Sequence, residues 1–455
     1  MEYHADVLLM KLNTTRQPKS SVRHGTMTNL KPLLLSGCLL LSGCASLSSN
    51  NIDSSEQASL LATCHISVQH QIDALAQPLI DQHRTPGVVV ALLHNGQRQV
   101  FSYGYTDNDH KIPLTGDTLF AVGSVTKGFT AESAALLVEQ GRLNWSSTLH
   151  EMLGSEIPLS EDAGQITLSE LATHTSGLPR QVDTLPMLGK LARYLFTGEP
   201  FYDDLDKGDF TTYLSDFHRP ARRSVIYSNL GYSLLDYAIA KHSGQPPQTI
   251  AGQQIIAALG LKHTGYVPQI LPGYAQRARG HAGDQPKFVR RGETVPDWHF
   301  SGYMVGAASL WSSANDLLTY LDAHLNGSGS VSLDRAFDDA TTIRFKEPQN
   351  DSSALAWLSN NINGQSLMYQ SGFIGGYASY IGMDIKHRTA IVVLQNSFNW
   401  DNDIGHRMLM RLAESEDRPG ACQPNAANSV SPEYQEPARH LAVQSGKLMK
   451  LAESR

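Results

Sequence analysis

At 455 residues, with 41% hydrophobic and 17% charged residues, the chain can bury a large core and falls among ordinary globular proteins, not disordered or fibrous ones. A formal net charge of -7, with no basic run carrying interleaved aromatics, argues against a nucleic-acid partner. The 18 histidines show no ligand spacing with Asp, Glu or Cys, so no metal and no cofactor is implied.

The first element after Lys31 is "PLLLSGCLLLSGCAS", a short apolar run ending in small residues and cysteine, which reads as a secretion signal, not a permanent span. Leu41-Ser42-Gly43-Cys44 resembles a bacterial lipobox, whose cysteine becomes the lipid-modified first residue after cleavage. Leu35-Ser36-Gly37-Cys38 is a second match that leaves a shorter apolar core, so Cys44 is preferred. Because Met1 to Thr26 is polar and Met27 to Lys31 forms an ordinary basic lead-in, Met27 is a second candidate start. The expectation is a lipoprotein of the bacterial cell envelope, facing the periplasm and joined to a membrane through its lipid. Ala45 stands where resembling lipoproteins kept at the inner membrane carry aspartate, which favours the outer membrane. Cys64 and Cys422 then remain, either as one disulfide or as two free thiols.

Residues 45–63 are rich in Ser and Asn and read as a tether, and the folded body is expected over 64–415. "GVVVALLHNGQRQVFSYGYTD", Gly87 to Asp107, places two apolar runs around Asn95-Gly96, a hairpin signal. "LFAVGSVTKGFTAESAALLVEQGRL", Leu119 to Leu143, opens a helix at Ser124 and sets Lys127 on the same face. A lysine there can take the serine's proton, although the pair also fits a capping serine beside a solvated lysine. "ITLSELATHTSGLP" follows at Ile166 to Pro179, with His174 reading as a packed loop histidine. In "VIYSNLGYSLLDYAIA", Val225 to Ala240, Tyr227 can relay a proton and Asn229 can hold a substrate carbonyl.

Helical patterns and loops fill about 124–300, and strands return in "LMYQSGFIGGYASYIGMDIKHRTAIVVLQNS", Leu367 to Ser397. Within it, Gly372 admits close approach to the strand, and the N–H of Phe373 can join that of Ser124 as an oxyanion site. Strands at both ends with helices between predict an α/β protein of the α+β type: an antiparallel sheet from both chain halves, flanked by helices, with a mostly helical inserted subdomain. Residues 416–455 read as a loosely held tail.

The three elements in this order, Ser-x-x-Lys, Tyr-x-Asn and a glycine-containing strand, resemble the serine β-lactamase and penicillin-binding protein superfamily. Tyr-x-Asn is similar to the branch holding class C β-lactamases, DD-peptidases, D-aminopeptidases and family VIII esterases. "ITLSELATHTSGLP" and "GAASLWSSANDLLTYL", Gly306 to Leu321, resemble two further segments of that branch, and the likeness spans about Ala74 to Ala413. It implies a β-lactamase/transpeptidase-like fold, Ser124 as nucleophile, Lys127 as its partner, Tyr227 as the base acting with Lys127, Asn229 orienting the acyl side chain, and support from the His174 segment.

One departure concerns the substrate. Gln370-Ser371-Gly372 stands where the family carries Lys or His, then Thr or Ser, then Gly, so a cation for a substrate carboxylate is missing unless Arg277 or Arg279 reaches the site. The expected function is an exported serine hydrolase acting through an acyl-enzyme on peptidoglycan-derived D-amino-acid peptides or β-lactams. An esterase or amidase for small acyl substrates is the second expectation, and a penicillin-binding-like module without turnover is the third.

Overall fold

The computed structural model describes residues 67–417 except 182–183, 204–206, 301, 347–351 and 363–364. Cys38, Cys44, Cys64 and Cys422, with the signal, the tether and most of the tail, lie outside the described residues.

Among the described residues the strands are, in chain order, β1 (Gly87–His94), β2 (Gln97–Gly104), β3 (Phe120–Ala121), β4 (Trp311–Ser312), β5 (Ser352–Ser353), β6 (Leu358–Ile362), β7 (Gln365–Ile374), β8 (Tyr377–Asp384) and β9 (Thr389–Gln395). Asn95 and Gly96 join β1 to β2 with positive φ of 51° and 72°, as a primed two-residue turn requires. β1 also pairs with β9, giving an antiparallel sheet in the order β2-β1-β9-β8-β7-β6-β5, while β3 and β4 pair separately. The sheet is thus completed by strands from both chain halves, as the sequence predicts.

The helices that matter below are α1 (Val68–Asp81), α2 (Thr126–Glu139), α3 (Leu168–Ala172), α4 (Leu185–Thr197), α5 (Asn229–Ser243), α6 (Ala314–Asn326), α7 (Val331–Thr341) and α8 (Ile404–Asp417). α1 and α8 close one face of the sheet: Ile72, Ala76, Met408 and Leu409 pack with Val88, Val90, Ile391 and Val393. α6 crosses β1 and β9 on the other face. Covered on both sides, β1 is an unbroken apolar run instead of an alternating one. α2 is buried continuously from Thr126 to Leu137, which accounts for its small and apolar residues on every side.

One buried acid gives the core a pH dependence. Asp236 of α5 accepts hydrogen bonds from Gln248 Nε2 (2.6 Å) and Gly306 N (2.7 Å), but burial outweighs them and lifts its carboxyl to about 7. The folded state therefore holds a proton that the unfolded chain releases near pH 4, so this contribution is complete below pH 4 and disappears as pH rises to about 7. The difference is on the order of 4 kcal/mol. Asp236→Asn is expected to gain stability over the native chain at pH 8 and to gain little at pH 4. Urea midpoints at both pH values test this; an equal change at each would remove Asp236 as the source.

Candidate active site

Ser124 sits in a 3₁₀ turn, Gly123–Val125, that runs into α2. The turn is fixed from several directions: Val122 N donates to Leu310 O (3.0 Å), Ser379 Oγ to Val122 O (2.8 Å), and Thr126 Oγ1 to Gly123 O (2.6 Å). Lys127, only 1% exposed, donates to Ser124 Oγ at 3.0 Å and to Ala307 O at 2.8 Å. The alternative of a capping serine with a solvated lysine does not fit, because Lys127 is buried and no side chain caps α2. Two oxygen acceptors offset part of the cost of burying the amine.

The Tyr-x-Asn segment closes over this pair. Tyr227 is half-buried, and its ring centroid lies 5.1 Å from Lys127 Nζ and 4.2 Å from the His174 ring. α3 begins with a capping box between Thr167 and Glu170, and the chain leaving it passes through His174 at a φ of 58°. His174 O accepts from Ile226 N (2.8 Å) and His174 Nδ1 from Ser228 N (3.1 Å), so this one residue clasps both flanks of Tyr227. Burial above all, then Lys127 and Arg180, hold its imidazole well below its ordinary pKa, which keeps it a neutral acceptor. Ser228 caps α5 by accepting from Gly231 N (2.8 Å). Asn229 opens α5, and its Nδ2 donates to Tyr202 Oη (3.1 Å), which donates in turn to Gln181 Oε1 (2.7 Å).

β7 forms the opposite wall. β6 pairs with β7 only over Gln365 to Tyr369, so the stretch Gln370–Ile374 presents an edge beyond β6. A Cβ on Gly372 would stand 3.1 Å from Ser124 N, and one on Gly123, whose φ is 52°, would stand 3.2 Å from Phe373 N. The two glycines thereby let strand and turn meet backbone to backbone, with Ser124 N beside Gly372 and Phe373 N beside Gly123. Ser371 is half-buried beside them. Gln370 is 4% exposed and its amide packs under α2, where a Cβ on Gly128 would come within 2.6 Å of Nε2. Neither amide atom of Gln370 has a hydrogen-bond partner among the described residues.

Neither arginine named from the sequence supplies the missing charge. Arg277 is bound to Asp297 through Nε (2.8 Å) and Nη2 (2.7 Å), and Arg279 is exposed. Instead the guanidinium of Arg180 stands 4.9 Å from the centroid of the Tyr227 ring. Arg180, Ala307 and Tyr202 are the site residues that sequence reasoning misses. The Gly306 to Leu321 segment announces no task in the sequence, and its Ala307 carbonyl is what holds Lys127.

With this geometry in place, comparison with known proteins adds the family. Residues 72–415, more than half of the chain, match the family model described as beta-lactamase. The chain belongs to the beta-lactamase family. Curated relatives include beta-lactamases of Providencia stuartii, 29% identical over 60% of this chain, and Pseudomonas fluorescens, 31% identical over 57%. The matches span 63% and 65% of those relatives' own lengths. Among solved structures, a class C beta-lactamase from Rhodobacter sphaeroides superposes with a TM-score of 0.64 at 24% identity, covering 76% of this chain and 99% of its own. A beta-lactamase/D-alanine carboxypeptidase from Pseudomonas syringae gives 0.63 at 21% identity, over 76% and 98%. These likenesses establish the β-lactamase/transpeptidase-like fold of this family of serine hydrolases.

Proposed function

We propose that this protein is an exported, lipid-anchored serine hydrolase of the bacterial envelope, facing the periplasm, that acts through an acyl-enzyme at Ser124 on peptidoglycan-derived D-amino-acid peptides or β-lactams. The observation carrying the reading is the 3.0 Å bond from buried Lys127 to a half-buried Ser124 Oγ, with Tyr227 against the same amine. The compartment expected from the Cys44 lipobox contains such peptides, and Ala45 favours attachment at the outer membrane.

In acylation the Ser124 Oγ–H proton passes to the Lys127 and Tyr227 pair as Oγ bonds to the substrate carbonyl carbon. The displaced π electrons settle on the carbonyl oxygen, which the N–H groups of Ser124 and Phe373 face. Collapse of that intermediate breaks the bond to the leaving amine or alkoxide, which takes up the proton. Water then attacks the ester with Tyr227 as base, and Ser124 recovers its proton. Asn229 orients the acyl side chain.

A second reading, a hydrolase of small esters or amides, is favoured by Gln370, whose neutral amide offers no charge to a carboxylate. Intact-protein mass spectrometry of the full chain after exposure to a penicillin, and separately to an activated ester, separates the readings with Ser124→Ala as control. A Ser124-dependent penicillin adduct supports the first. An adduct with the ester alone supports the second, and labelling by neither in folded protein would leave a binding module without turnover.

A further inference from the structure

We infer that Arg180 is the positioning cation of this active site, acting through Tyr227 to favour its deprotonated form in place of the cation absent at Gln370. The inference rests on the acyl-enzyme reading above, because it concerns the proton that Ser124 gives up.

The groups against Tyr227 include Lys127 of α2, His174 after α3, Arg180 in the following loop, and Tyr232 of α5. His174 and Tyr232 are buried, and His174 accepts a bond at Nδ1, so it adds no charge. Lys127 and Arg180 are two cations over the ring, at 5.1 Å and 4.9 Å from its centroid. After burial and Lys127, Arg180 also depresses the imidazole of His174, the residue that clasps both flanks of Tyr227. The backbone fixes where it stands. Arg180 O accepts from both Asn229 N (3.0 Å) and Leu230 N (3.2 Å), which ties the arginine to the Tyr-x-Asn segment whatever its side chain does.

On β7 the corresponding position is electrically silent, since Gln370 is buried under α2 and neutral. A cation over a phenol ring favours the phenolate, by roughly one pH unit where solvent partly screens the charge. Interacting groups give up their protons as a pair. The direction is nevertheless the same for both, because removing a positive charge makes either group harder to deprotonate.

The test is the pH dependence of kcat/KM toward an uncharged ester, p-nitrophenyl butyrate, so that no substrate carboxylate can report on Arg180. The full chain and its Arg180→Gln, Arg180→Lys and Gln370→Lys variants are compared. The acid limb is expected to move up by about one pH unit in Arg180→Gln, to return toward its native position in Arg180→Lys, and to move down in Gln370→Lys. An unmoved acid limb in Arg180→Gln, with or without loss of rate, would overturn the inference. If that variant does not fold, Arg180→Met takes its place, and an unmoved limb there overturns the inference as well. Ser124→Ala separates the two levels: ester hydrolysis surviving in that variant defeats the acyl-enzyme reading, whereas hydrolysis lost there with limbs unmoved in the others defeats only the role of Arg180.

Discussion

Ser124→Ala is expected to lower kcat/KM toward both a D-alanyl peptide and an activated ester by a factor on the order of 10⁵ to 10⁶. The size follows from what the substitution leaves behind. Backbone donors and substrate contacts persist, but no covalent intermediate can form, and neither Lys127 nor Tyr227 has a hydroxyl proton to take. The fold should tolerate the change, because Ser124 is half-buried and water can replace its hydroxyl beside Lys127 Nζ, which keeps Ala307 O at 2.8 Å. A stability change of about 1 kcal/mol or less is expected. The measurement is kcat/KM on both substrates, together with the thermal midpoint. A folded variant retaining more than about a tenth of either activity would place the nucleophile elsewhere.

How much of this site the sequence made legible depends on what kind of group does each task. Side chains at fixed spacing are readable: Ser124 and Lys127 share a helix face, Tyr227 and Asn229 open another helix, and the Asn95-Gly96 turn sets the register of β1 against β2. Backbone groups are not. The carbonyl of Ala307 holds Lys127 from a distant part of the chain, and nothing in a small apolar residue announces an acceptor. Long-range charge is equally hidden. That Gln370 removes a cation can be read directly, but that its amide lies under Gly128 while Arg180 stands over Tyr227 depends on how α2, β7 and the loop after α3 pack together. At the margins, Pro78 within α1 masks a helix whose Ile72, Ala76 and Leu79 are buried. α8 is followed in sequence by a polar stretch, so its apolar stripe of Met408, Leu409 and Leu412 reads weakly as core.

Gly372→Ala carries the second large expected effect, through the backbone alone. A Cβ at this position would collide with the Val122 carbonyl oxygen and the Ser379 hydroxyl, and would stand 3.1 Å from Ser124 N. The 3₁₀ turn has little room to yield, since Val122 is held at N by Leu310 O (3.0 Å) and at O by Ser379 Oγ (2.8 Å). The edge of β7 must therefore move, and Phe373 N moves with it, away from the turn that carries Ser124. Loss of one oxyanion donor lowers kcat by about 100- to 1,000-fold, and the overpacking adds about 1–3 kcal/mol of destabilisation. Gly96→Ala is the matched control: its φ of 72° makes an added Cβ unfavourable, yet nothing lies within 4 Å, so stability falls slightly and kcat should not change. If Gly372→Ala stays folded at full kcat, β7 is not the wall that stabilises the intermediate, and the second N–H donor must come from another part of the pocket.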